Sequence, residues 1–349
     1  MALDLLSARD MRPLLCLLAL ASCASVPLTP AQTLCGEATD CTIDPNAQSI
    51  VEQELDRLSA EPGTRKAVIV VIDPTTGSLK AMGGRELGKS NPWLAGKLAV
   101  DPGSIMKSFT IAAALEHGVV EETTPILGEG GKWRRAPDDL ITDRVAHGEM
   151  SVEDVLVYSS NIGTAKIAVK LGAEPLAELY EAVNLASAPL PQMRKGVVPD
   201  LKTAKPEIAV RVAYGAEVEP TPLQLASSFS IFASHGQYRP LSLTQAGQGT
   251  AHQVLSERTA TRMQLLLAQT VMRDDGTGKQ ARVPGLTVAG KTGTCPLQEG
   301  LSWADFIGFA AGPEPRFVIL VGIETNATGY SGGTLAAPSF ARVLSALSK

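Results

Sequence analysis

The stretch KAVIVVIDPTTGSLKAM, residues 66–82, decides the fold. Lys66 to Ile72 is a run of apolar and β-branched residues, the composition of a buried strand. Asp73-Pro74-Thr75-Thr76-Gly77 carries turn chemistry, and Ser78 to Met82 resumes an extended pattern, so the segment reads as a hairpin. Just upstream, IVEQELDRL (Ile50 to Leu58) spaces its apolar residues three and four apart, as a helix does. A hairpin that follows an N-terminal helix predicts a helix-on-sheet domain. Strand-like runs return only near the far end, at 287–294, 304–310 and 317–323, and Ala336 to Leu347 closes the chain with a helical period. Between them, from Ser104 to about Ser234, the pattern is mostly helical and is broken repeatedly by Pro and Gly. Sheet elements at both ends with helices between predict an α+β fold. It is expected to be a mainly antiparallel sheet flanked by helices, with an inserted all-helical subdomain and a cleft between the two.

Three short segments carry chemistry. In Asp101-Pro102-Gly103-Ser104-Ile105-Met106-Lys107, Pro and Gly start a helix. Ser104 falls in its first turn, with Lys107 on the same face three residues on. A serine hydroxyl is a weak nucleophile that needs an adjacent base. A desolvated lysine beside a second cation can lose its proton and serve as one. The helix N-terminus adds a positive field where an oxyanion would form. In Tyr158-Ser159-Ser160-Asn161, the Ser159 hydroxyl can relay a proton and the Asn161 amide can hold a carbonyl. In Gly290-Lys291-Thr292-Gly293-Thr294, a strand bordering a site, Lys291 supplies a cation, Thr292 and Thr294 supply hydroxyls for a carboxylate, and glycine lets a ligand approach closely. In a chain of 349 residues S-x-x-K and S-x-N each arise about once by chance, and K-T-G about one time in ten. Their order, and the local structure around each, is what carries weight.

Composition sets the outer bounds. Apolar residues make up 44% and charged residues 19%, close to a globular average. The net charge of -5 argues against a nucleic-acid partner. His117, His147, His235 and His252 are scattered, no group has metal-ligand spacing, and neither a metal nor a cofactor is expected. Leu14 to Ala21 is an apolar run too short to span a bilayer, preceded by Arg12 and followed by small residues, the layout of a secretory signal. The region before it is positive if the chain starts at Met11 and neutral if it starts at Met1. The run ends in Leu20-Ala21-Ser22-Cys23, so residues 1–23 read as a signal peptide whose lipobox ends at a lipidated Cys23, and 24–47 as a flexible tether. That places the mature protein outside the cytoplasm, in the periplasm or envelope, with a membrane as partner through the lipid. Of the remaining cysteines, Cys35 and Cys41 can close a short loop and leave Cys295 odd, but sequence does not decide the pairing.

The order S-x-x-K, S-x-N, K-T-G is the signature of penicillin-binding proteins and related β-lactamases. DPGSIMKSFTIAAALEHG is similar to the active-serine helix of penicillin-binding transpeptidase domains. HGEMSVEDVLVYSSNIGTAKIAVKLG, YGAEVEPTPLQLASSFSIFASHG, GTGKQARVPGLTVAGKTGT and the closing FIGFAAGPEPRFVILVGIE resemble their counterparts in class B members, over roughly residues 48–349. The resemblance implies that Ser104 is acylated, Lys107 activates it, Ser159 shuttles the proton and Asn161 positions substrate. It further implies that Lys291 supports the electrostatics while Thr292, Gly293 and Thr294 hold the substrate or a β-lactam. The implied reaction is D,D-transpeptidation of D-Ala-D-Ala stem peptides of peptidoglycan, with a glycosyltransferase as a further partner. D,D-carboxypeptidase or endopeptidase action, β-lactamase action and a non-catalytic β-lactam-binding lipoprotein remain open alternatives. The sequence departs from the family pattern at Asp101, where glutamate is common, and at Cys295, where a small residue is expected.

Overall fold

A computed structural model describes residues 29–312 and 316–349. The chain opens with α1 (Pro30–Cys35) and α2 (Pro45–Ser59), then forms the hairpin of β1 (Thr64–Asp73) and β2 (Ser78–Glu86), extended by the short β3 (Lys89–Ser90). After α3 (Leu94–Lys97) comes α4 (Met106–Glu116), which is buried all round. Two ribbons follow: β4 (Ile126–Leu127) pairs with β7 (Glu149–Met150), and β5 (Lys132–Ala136) with β6 (Asp139–Thr142). Next are α5 (Val152–Val157), α6 (Asn161–Leu171), α7 (Ala173–Ala182), α8 (Pro206–Tyr214) and α9 (Pro222–Phe229). A ribbon of β8 (Gln237–Tyr238) and β9 (His252–Gln253) precedes α10 (Glu257–Met272). The chain then returns to the sheet as β10 (Thr287–Pro296), β11 (Ser302–Ala311) and β12 (Arg316–Thr325), and ends on α11 (Ala337–Leu347).

The six sheet strands lie in the order β10-β11-β12-β1-β2-β3. Every neighbouring pair is antiparallel, so the first and last parts of the chain meet at β1 and β12, where Val70 faces Leu320. Side chains alternate across a strand, and here both faces are covered. Ala67, Ile69 and Val71 join Val51, Leu55 and Phe340 in a core under α2 and α11. Val68, Val70 and Ile72 join Phe109 and Phe229 in a larger core under the helical layer. Two covered faces explain why β1 is apolar at every position from Ala67 to Ile72 rather than at every second one. Glu54 of α2 accepts from Arg57 and from Arg342 of α11, tying together the two helices on the smaller face.

The α+β architecture matches the expectation, with two corrections. The inserted subdomain is not all helical. The ribbon β5–β6 has the alternating burial of a solvent-facing hairpin, and its period of two in Lys132 to Ala136 was hidden by charged outward residues. The stretch expected as a tether, 24–47, has defined structure in its described part. Thr29 caps α1 through a capping box, Leu34 and Ile43 enter the larger core, and the Thr42 hydroxyl donates to the Leu79 and Ser242 carbonyls. These few apolar anchors are too sparse to make a periodic signal. Cys35 and Cys41 form a disulfide with Cα atoms 5.6 Å apart, and Cys295 is a free thiol, which settles the pairing that sequence left open. Cys23 and the signal segment lie outside the described residues. Among the described residues, no helix is long and apolar enough to cross a membrane, and no cluster of His, Cys, Asp or Glu is arranged to hold a metal.

Candidate active site

Ser104 lies in a 3₁₀ turn, Gly103–Ile105, that leads directly into α4, and Lys107 is the second residue of that helix. The turn is held in place from both sides. Asp101 Oδ1 accepts from the Gly103 amide at 2.8 Å. Gly215, the left-handed cap of α8 at φ +99°, lets the chain pass so close that a β-carbon there would stand 1.7 Å from the Gly103 carbonyl oxygen.

Five polar side chains from three segments converge here. Lys107 Nζ lies 2.8 Å from Ser104 Oγ, 2.7 Å from Asn161 Oδ1 and 2.6 Å from the Ser159 carbonyl oxygen. The last two are acceptors only. They take two N–H groups, and a neutral amine would then turn its lone pair to the Ser104 hydroxyl. Lys291 Nζ donates to Ser159 Oγ at 2.9 Å, so Ser159 bridges the two amines, with Lys107 at 3.3 Å on the other side. Ser159 holds this place with φ +61°, a left-handed backbone rare outside glycine and characteristic of strained functional turns.

Both lysines are fully buried. Burial, then the charge of Lys291, push the Lys107 amine well below the usual lysine range, against a smaller pull from Asp143. Burial lowers Lys291 to about 7, with Asp305 opposing. A cleft of about 800 Å³ opens over these groups, lined by Ser104, Ser159, Asn161, Thr292 and Thr294. That size suits a small organic or peptide ligand. Because β10 is the outer strand of the sheet, its free backbone edge faces the cleft. Thr292 and Thr294 share one face of β10, Lys291 and Gly293 the other. The Thr294 hydroxyl accepts from the Gly332 amide at 3.0 Å and donates to the Gly293 carbonyl. Cys295 also lines the cleft. Burial and the neighbouring Asp101 push its thiol up to about 12, so it stays protonated. Burial likewise raises Asp101 to about 6.

All eight residues expected in the site are therefore at one place. Sequence reasoning missed Asp143, just after β6. Its carboxylate accepts from Ser160 Oγ and the Asn161 amide, each at 2.5 Å, and from the Ile162 amide at 3.2 Å. It thus caps α6 from outside and holds the Ser159–Asn161 turn against Lys107. A cap is ordinarily sought beside the helix it serves, and this one is separated by the whole β7–α5 segment, so no local signal could find it.

A sheet domain whose cleft joins a helix-borne serine to two buried amines and a second serine has the architecture of an acyl-transfer enzyme that works through a serine. The chain belongs to the penicillin binding protein transpeptidase domain family, which matches residues 67–345. Among curated proteins it is similar to the probable peptidoglycan D,D-transpeptidase PbpC of Pseudomonas aeruginosa, 29% identical over 87% of this chain and 57% of that protein. It is similar also to the peptidoglycan D,D-transpeptidase FtsI of Escherichia coli, 27% identical over 87% of this chain and 54% of that one. The chain spans about half the length of the curated relatives it matches. Among solved structures it resembles the transpeptidase domain of penicillin-binding protein 3 from Burkholderia pseudomallei, with TM-score 0.81 and 28% identity over 89% of this chain and 96% of that domain.

Proposed function

We propose that the protein is a serine D,D-transpeptidase of peptidoglycan cross-linking and that β-lactams acylate the same serine. Ser104 Oγ attacks the carbonyl of the penultimate D-Ala of a stem peptide. Its proton passes to Lys107, and the oxyanion is met by the backbone N–H groups of Ser104 and Thr294. Ser159, bridging the amines, relays the proton to the departing D-Ala, leaving an ester on Ser104. An amine of a second stem peptide then takes the acyl group and restores the serine. Asn161 orients the donor peptide, and Lys291 with Thr292, Gly293 and Thr294 holds its carboxylate or that of the drug. We further propose that the protein is exported, is anchored through a lipid on Cys23, and works beside a glycosyltransferase.

The observation that carries this reading is the contact of 2.8 Å between Ser104 Oγ and a buried lysine amine whose two shortest other partners are carbonyl oxygens, acceptors only. Mass spectrometry after incubation with penicillin tests it. The expected result is one penicilloyl adduct on Ser104, absent from Ser104→Ala. A D-Ala-D-Ala peptide with an amine acceptor should yield a cross-linked product. D-Ala release without cross-linking would make the enzyme a carboxypeptidase, rapid loss of the penicilloyl group a β-lactamase, and a stable adduct without any peptide turnover a sensor. Metabolic labelling with a fatty-acid probe tests the anchor, since loss of Cys23 should abolish labelling.

A further inference from the structure

Behind the ligand-facing strand, Asp305 of β11 stands directly across from Gly293. It is almost completely buried, and its Oδ2 accepts from Trp303 Nε1 at 3.0 Å. Its Oδ1 is buried and meets no donor. A β-carbon on Gly293 would lie 2.0 Å from this oxygen and 2.4 Å from the carbonyl oxygen of Pro102. The two oxygens therefore share the space that the glycine leaves open. Among the described residues the Pro102 carbonyl is otherwise reached only by the Ile105 amide at a long 3.4 Å, which leaves it a second lone pair. A carboxylate in that position would set two acceptors together out of reach of water and add an unpaired buried charge. A neutral acid removes both penalties, because its O–H is a donor.

We propose that Asp305 is a positioning residue that sits as a neutral acid and donates a hydrogen bond from Oδ1 to the Pro102 carbonyl. That bond passes over Gly293 and ties β11, the strand paired with the K-T-G strand, to the loop that presents Ser104, two residues beyond Pro102. The inference rests on the reading of Ser104 as the acylated residue. The ionisable groups facing Asp305 are Lys291 and Cys295 on β10 and Asp101 on the serine loop. The Lys291 amine is engaged by Ser159 and the Thr292 carbonyl rather than by Asp305. Burial first, with Asp101 adding to it, holds the Asp305 carboxyl well above the usual range against the hydrogen bond from Trp303 and the charge of Lys291.

The test compares acylation by a fluorescent penicillin at neutral pH in the full chain, in Asp305→Asn and in Asp305→Val, with thermal unfolding recorded for each. Asparagine keeps a donor for Pro102 and an acceptor for Trp303, so it should acylate within about twofold of the parent. Valine removes the bond and should slow acylation about tenfold, the equivalent of one hydrogen bond. An infrared difference spectrum between parent and Asp305→Asn should contain the carbonyl band of a protonated carboxylic acid. Three results would overturn the proposal: a folded Asp305→Asn as slow as valine, a valine variant as fast as the parent, or absence of the acid band. If valine fails to fold, the asparagine rate and the band still decide. If the parent itself forms no adduct, the reading of Ser104 fails, and the band alone judges Asp305.

Discussion

Lys107 and Lys291 are two buried amines in one cleft, and the proposed mechanism gives them different jobs. Only a neutral amine can take the Ser104 proton, and burial with the charge of Lys291 moves Lys107 toward that form. Lys107→Ala should lower the acylation rate about 10²- to 10⁴-fold with the fold intact. Lys107→Arg should do no better, since a guanidinium does not deprotonate. The pH profile carries a sharper statement. Acylation should rise with pH as Lys107 loses its proton and level off well below the ordinary lysine range. In Lys291→Ala one of the two causes that lower Lys107 is gone, so Lys107 holds its proton more tightly. Its rising limb should move to higher pH, whatever happens to its height. An unmoved limb in a stopped-flow pH series would show that the two amines do not sense each other.

At the level of elements, two devices outside the motifs fix the surroundings of Ser104. Gly215→Ala forces a β-carbon into the Gly103 carbonyl at a left-handed position. It should cost about 2 kcal/mol or more in stability and slow acylation, read from the unfolding midpoint and from drug-labelling rates. Asp143→Ala removes the cap on α6 and should cost about 1–2 kcal/mol while loosening Ser159 and Asn161, so labelling should fall further than stability alone explains. Strands and helices whose apolar period is continuous, such as β1, β10 and α2, were legible in the sequence, and so were the three motifs, whose residues lie within one turn or one strand of each other. Asp143, Gly215 and Asp305 were not. Each acts on a partner distant in the chain, and nothing within a local window marks an aspartate as a remote cap or as a filler over a glycine. The β5–β6 ribbon escaped for a different reason: Lys132, Arg134 and Asp139 give it the composition of a loop.

For the molecule as a whole, the smaller core is closed by α2 and α11 through Glu54. Burial alone would raise this carboxyl, but the hydrogen bonds from Arg342 and Arg57 outweigh burial and hold it below its ordinary value. A lowered carboxylate stabilises the fold above its unfolded pKa, and that stability is lost as pH falls through the folded one. Glu54→Gln should therefore destabilise by about 1 kcal/mol at neutral pH, and the difference from the parent should vanish in acid denaturation curves. The Cys35–Cys41 disulfide closes a short loop and, on a chain-entropy estimate, is worth about 2 kcal/mol. Neither cysteine lines the cleft. Cys35→Ser should thus lower the unfolding midpoint and leave penicillin labelling unchanged, and slower labelling would mean that the N-terminal segment supports the site.

The pairing of β1 with β12 sets an order of events during synthesis. The early hairpin waits with one edge open until nearly the whole polypeptide has emerged, and Ser104 waits equally long for Lys291 to arrive. A nascent chain cut short before β10 would carry Ser104 but not the second amine. Until Lys291 has been made and β10 has joined the sheet, the cleft therefore holds only one of its two buried amines.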